Sequence, residues 1–148
     1  MNKRKSLKEL NLLDKFLFDE AMDDPENVKT MLDIILSQNT NLKQSPQTEK
    51  EQRTSTDNRH IRLDVYAIDE DDVIYEVEAQ KENTHNLPKR RRLYQGIIDS
   101  KLLPPGVVDF NLLNEVLIVM ITPFDLFGYG LYRYTFQMRC EEVPELKL

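Results

Sequence analysis

Residues 61–67 and 73–80 alternate between apolar and polar side chains, and four acidic residues, Asp69, Glu70, Asp71 and Asp72, separate them. A period of two puts successive side chains on opposite faces of a strand, and an acidic, turn-forming insert returns the chain on itself. The pattern therefore predicts a β-hairpin. Ile61, Leu63, Val65 and Ala67 are expected on one face of its first strand, and Arg62, Asp64 and Tyr66 on the other. In the second strand Val77 and Ala79 share a face, and Glu76, Glu78 and Gln80 share the opposite one. Two carboxylates and an amide in a row make that second face either a wet surface or a site.

The segments around the hairpin set the fold class. Leu10, Leu13, Leu17 and Ala21 recur at helical spacing, with Phe16 and Phe18 widening the stripe, and residues 1–5 are polar. Asp24 is placed as an N-cap, Pro25 at the first helical position and Glu26 at the positive helix end, opening a second helix to Ser37 through Val28, Met31, Leu32, Ile35 and Leu36. Residues 38–58 carry little apolar content and read as a flexible loop, with a short extended piece around Leu42. A third helix is expected from Pro88 to Leu103, its apolar side made by Leu93, Ile97, Ile98 and Leu102. Residues 115–122 form a continuous apolar run, as for a strand buried on both faces, and residues 131–140 alternate as a last strand through Tyr132, Tyr134 and Phe136. The order α-α-β-β-α-β-β predicts an α/β fold with a mixed β-sheet flanked by helices and an N-terminal helical pair.

At 148 residues, 40% of them apolar, the chain can bury one modest core, so a single domain is expected. A net charge of −6 argues against a bulk basic nucleic-acid binder, while leaving room for a local basic patch. The lone Cys140 can form no internal disulfide, which fits a reducing compartment. No apolar run is long enough to span a bilayer and no signal-like segment is present. The expectation is a cytoplasmic protein with no membrane partner.

The chemistry concentrates in the hairpin. Asp64 on its first strand and Glu78 on its second are cross-strand neighbours, which approach to roughly 5 Å on one face. Such carboxylates repel unless a cation lies between them, and paired oxygen donors suit Mg²⁺. A cation held there polarises a phosphodiester and activates water. Gln80 points the same way and is placed to orient that water. Lys89, Arg90, Arg91 and Arg92 crowd the start of the third helix, where the macrodipole is already positive, so phosphate anions are the natural counterpart. The acidic turn could offset the same charges.

The spacing Asp64 … Glu78-Ala79-Gln80, within "RLDVYAIDEDDVIYEVEAQ", is followed by "NLPKRRRLYQGIIDSKLL" and "ITPFDLFGYGLYRYTF" and preceded by "DKFLFDEAMDDPENVKTMLDIIL". In this order the segments resemble the PD-(D/E)XK nuclease family transposases, also called recombination-promoting nucleases, over roughly residues 10–140. The resemblance implies a restriction-endonuclease-like core that cleaves DNA with Mg²⁺ or Mn²⁺, as an endonuclease associated with mobile elements and DNA recombination. It makes Asp64 and Glu78 the metal ligands and catalytic residues together with Gln80, which stands where many of these nucleases have lysine. The basic start of the third helix offers Lys89, Arg90 and Arg92 as contacts to the DNA backbone, and the resemblance turns Tyr94 and Gln95 toward the site. DNA is the expected partner, and a homodimer is left open. No motif selects an acidic ligand from the first helix, whether Asp19 or Glu20. The family usually continues past the last strand, so Leu148 reads as the end of an excised or shortened copy.

Plainer readings stand beside these. Glu76 shares the face of Glu78 but matches no ligand position, and reads as an outer-face bystander. His60 and His85 are isolated from other metal-binding side chains, Cys140 reads as packing, and the glycines of "FDLFGYG" serve turn geometry. A catalytically silent DNA-binding or interaction module on the same fold, or a metal-dependent RNase, fits the same pattern of residues.

Overall fold

The computed structural model describes residues 11–53 and 60–148. It is an α/β arrangement of three helices and one four-stranded mixed sheet in the order β1-β2-β3-β4. The elements run α1 (Lys15–Met22), α2 (Pro25–Leu36), β1 (Gln47–Arg53), β2 (His60–Ile68), β3 (Ile74–Ala79), α3 (Leu87–Leu102) and β4 (Val116–Ile121), with a 3-10 turn at Phe110–Leu112 before β4. The predicted hairpin is present: β2 and β3 pair antiparallel, Ile68 opposite Ile74, and Asp69 closes the turn between them. β3 and β4 pair in parallel, Ile74 opposite Val116, and α3 makes the crossover.

Helices cover both sheet faces. Phe18 and Met22 of α1 and Val28 and Leu32 of α2 pack with Val65, Ala67, Tyr75 and Val77. On the other face Ile97 and Ile98 of α3 pack with Leu63, Tyr66 and Ile74. Each fully buried aliphatic or aromatic side chain here stabilises the fold by roughly 1.5–3 kcal/mol. The second helix forms as its caps dictate: Asp24 accepts from the Glu26 N–H, Pro25 takes the first position, and Ser37 ends it in the left-handed region at φ 56°.

Several expectations are corrected. The first helix begins only at Lys15, because Asn11 and Asp14 draw the preceding backbone into a turn: Asn11 Oδ1 accepts from the Leu13 N–H and Asp14 Oδ2 from the Asn11 N–H. Phe16 points out, and Leu10 lies outside the described residues, as does the side chain of Ile61. The expected loop at 38–58 contains β1, a wholly polar edge strand whose register comes from β2; the extended piece at Leu42 is an isolated bridge to Asp69. In α3 Leu93 is exposed, and Leu87 and Tyr94 take its place on the inward stripe with Ile97 and Ile98. β4 is half-buried along its length: among the described residues it pairs only with β3 and stands at the end of the sheet.

The last expected strand does not form. Among the described residues, 131–138 pair with no strand, and Arg139 alone of this segment bridges, to Lys147. Asp125 holds the chain in a loop instead, accepting N–H groups from Phe127, Gly128 and Gly130 and the hydroxyl of Tyr134. Gly128 and Gly130 have φ of 77° and 71°, which explains the two glycines of this segment.

Candidate functional site

Strict alternation fails in β2 at one residue. Leu63 packs with α3, whereas Val65 and Ala67 pack with α1 and α2, so these three do not share the face expected of them. The slip falls at Asp64. Its opposite number in β1, Glu49, has φ 52° and is skipped between the Thr48–Val65 and Lys50–Leu63 pairs. The β2–β3 ladder likewise ends at Val65 opposite Val77, so Asp64 and Glu78 lie just past the last rung. Asp64 uses this freedom to turn one carboxylate oxygen onto the Ala79 N–H, 3.2 Å away.

β3 keeps its period, placing Ile74, Glu76, Glu78 and Gln80 beneath α3. Arg90 lies on the inward stripe of that helix with Leu87, Tyr94 and Ile97 (spacings of three, four and seven). Its terminal nitrogen donates to Glu78 Oε2 at 3.1 Å and to Gln80 Oε1 at 2.8 Å. Gln80 donates in turn to the Glu82 carbonyl at 2.6 Å. From the other side of the sheet, Lys15 of α1 places its ammonium 3.0 Å from Asp64 Oδ1, 3.0 Å from Asp19 Oδ2 and 3.5 Å from Glu49 Oε1. Each carboxylate expected to hold a metal thus carries a basic side chain.

Burial sets the electrostatics. Glu78 is 6% exposed, and desolvation, followed by the charge of Asp64, pushes its carboxyl up to about 7 against the pull of Arg90. Glu76 is fully buried, and desolvation, then the charges of Glu78 and Asp64, hold it well above the carboxylate range. The outer-face reading of Glu76 is therefore wrong. The α3 covering could not be read from the strand alone, because a polar residue on an alternating face looks the same whether water or a helix lies over it. Tyr94 stands beside this group, 5.7 Å from ring centroid to the Arg90 guanidinium carbon; burial and the Glu78 charge push its phenol up to about 12.

The other expected residues separate. Lys89 and Arg92 are exposed on α3 and do not reach the carboxylates, while Arg90 turns inward to hold Glu78 and Gln80. Gln95 donates to Asp99 one turn along the same helix, at 2.9 Å, instead of turning to the carboxylates. Asp19 reaches the site only through Lys15. Sequence reasoning missed Lys15 altogether, although Lys15 and Asp19 at a four-residue spacing on one helix face form a pair visible in the sequence. Burial would lower the Lys15 ammonium, but the carboxylates of Asp64 and Asp19 outweigh it and hold it above its ordinary value.

Among the described residues no three His, Cys, Asp or Glu side chains converge to hold a metal ion. The oxygen donors of Asp64 and Glu78 nevertheless suit a hard divalent cation, since Mg²⁺ is commonly held by one or two carboxylates plus water and phosphate. Two buried carboxyls set against each other, Glu76 and Glu78, are the kind of environment a cation would relieve. No helix among the described residues is long and apolar enough to cross a membrane. No protein-family model matches the chain, nor does any curated protein or solved structure.

Proposed function

We propose that the chain is a metal-dependent DNA endonuclease domain with a restriction-endonuclease-like core, of the kind found in PD-(D/E)XK transposases. One observation carries the reading: Asp64 and Glu78, fourteen residues apart across a hairpin, come to the end of the same strand pair, where Arg90 gathers Glu78 and Gln80. Asp64 and Glu78 would hold Mg²⁺, which when bound supplies Lewis acidity toward a phosphate oxygen. Gln80 positions the attacking water through its amide and contributes no charge. Arg90 orients Glu78 and Gln80, and the exposed Lys89 and Arg92 on the outer side of α3 meet the DNA backbone.

The test is supercoiled plasmid incubated with the protein and Mg²⁺. Nicking by the wild type and its loss in Asp64→Ala and Glu78→Gln are expected. Equal cleavage by the variants, or none by any of them, would sink the proposal.

A second reading has its own support. Asp64 is already paired with Lys15, and Glu78 and Gln80 with Arg90, so the charges are largely balanced without a metal. A silent DNA-binding module would show salt-dependent binding, indifferent to Mg²⁺ and to Glu78→Ala.

A further inference from the structure

Beneath α3 the Nε of Arg90 is buried and unpartnered, and the buried carboxyl of Glu76 meets no cationic or backbone donor, only the neighbouring carboxyl of Glu78. Orphans of this kind are rare in native structures and call for an explanation such as a second state or an absent ion. These two are complementary, an acceptor and a donor. The contact Arg90 does make is one-pronged: a single terminal nitrogen serves Glu78 and Gln80. Its Nε–H is idle, although the guanidinium fork matches a carboxylate best when two N–H groups donate in parallel.

Glu76 and Glu78 lie on the same face of β3, roughly 7 Å apart along the strand. A long arginine side chain can cover that step by changing rotamer alone. A divalent cation at Glu78 would repel the guanidinium, and the one fully buried carboxyl among the described residues that no basic side chain holds is Glu76. We infer that Glu76 is the second seat of Arg90: cation binding at Asp64 and Glu78 moves the guanidinium from Glu78 and Gln80 onto Glu76. The move pairs both orphans, frees Glu78 for the cation and releases the Gln80 carbonyl. Glu76 is then a positioning residue that acts through Arg90. This rests on the reading of Asp64 and Glu78 as a cation site.

The experiment follows the Arg90 Nε–H signal in ¹⁵N-labelled full chain during Mg²⁺ titration, the signal being identified by its loss in Arg90→Lys. Mg²⁺ affinity is measured in parallel by calorimetry for wild type, Glu76→Leu, Glu76→Gln and Asp64→Ala. In the wild type, saturation shifts the Nε–H signal and slows its exchange with water. Glu76→Leu weakens Mg²⁺ binding by about 10–100-fold, the range typical of residues that orient a metal's ligands. Glu76→Gln, which keeps an acceptor for the guanidinium, retains the shift and binds more tightly than Glu76→Leu. An unmoved Nε–H signal in Mg²⁺-saturated wild type overturns the inference, as does Glu76→Leu binding as tightly as wild type. If the wild type binds no Mg²⁺, or binds it no better than Asp64→Ala, the cation site itself is refuted and the second seat falls with it.

Discussion

Lys15 Nζ stands 3.0 Å from Asp64 Oδ1, joining the first helix to the second strand across 49 residues of chain. The ammonium is also shared with Asp19 and Glu49, so one side chain gathers three carboxylates at the edge of the candidate site. Such a cation competes with any metal that Asp64 helps to hold. Lys15→Met is expected to raise Mg²⁺ affinity a few-fold by calorimetry. Because Lys15 is 45% exposed, losing the ion pair should lower stability by no more than about 1 kcal/mol. Weaker Mg²⁺ binding in the variant would show that Lys15 supports the site instead of competing for it.

The hairpin turn depends on Asp69. One of its carboxylate oxygens accepts from the Asp71 and Val73 N–H groups at 3.0 and 2.9 Å, and the other accepts from the Tyr75 hydroxyl at 2.6 Å. Tyr75 is 1% exposed, and burial, with the Asp69 charge beside it, pushes its phenol upward, so the hydroxyl remains a donor. Tyr75→Phe should cost about 1–2 kcal/mol in urea unfolding, since it leaves the buried Asp69 carboxylate short of a partner. Asp69→Ala should cost more, because it also releases two backbone donors. A Tyr75→Phe loss below about 0.5 kcal/mol would mean the hydroxyl bond contributes little net stability.

The hairpin, the helix caps at Asp24 and Pro25 and the shared face of Glu76, Glu78 and Gln80 were legible because each follows from local periodicity or capping chemistry. β1 was not: "QTEKEQR" has no apolar residue, and only pairing with β2 makes it a strand. The last strand failed for the opposite reason. Tyr132, Tyr134 and Phe136 alternate correctly, but no neighbouring strand pairs with them, and the Asp125 network fixes a different backbone. At the site, the residue types at 64, 78 and 80 marked the polar cluster that Lys15 and Arg90 gather. The slip in alternation at Asp64, the burial of Glu76 and the reach of Lys15 depend on how the helices pack, and periodicity within one strand carries no trace of that.

Asp125 is predicted to control its loop. The Tyr134 hydroxyl, then the N–H groups of Gly130, Gly128 and Phe127, pull its carboxyl down to about 2. The Tyr134 hydroxyl also accepts from the Tyr129 and Leu131 N–H groups, at 3.2 and 3.3 Å. Asp125→Ala should therefore speed amide hydrogen exchange at Phe127, Gly128 and Gly130, and Tyr134→Phe at Tyr129 and Leu131. Rates in the sheet at Val77 and Val119 should hardly change, since exchange there reports the packed core. Unaltered exchange in the loop of Asp125→Ala would refute the role given to its carboxylate.

Stability should fall as pH rises from about 4.5 to 7. Glu78 carries a carboxyl raised to about 7 in the folded chain, chiefly by burial and then by Asp64, above the 4.5 of an exposed glutamate. Between those values the folded state binds more protons than the unfolded state, so the slope of unfolding free energy with pH is negative. The contribution of Glu78 is about 3 kcal/mol and is lost by about pH 7; Glu76, raised further by burial, adds a loss in the same direction. Urea midpoints at pH 5, 6, 7 and 8 measure it. Glu78→Gln, which cannot ionise, should reduce the slope, and under the proposed cation site saturating Mg²⁺ should restore stability at pH 8 by binding the ionised carboxylate. Wild-type stability that climbs from pH 5 to pH 8 without divalent cations would show that Glu78 is not held neutral by burial.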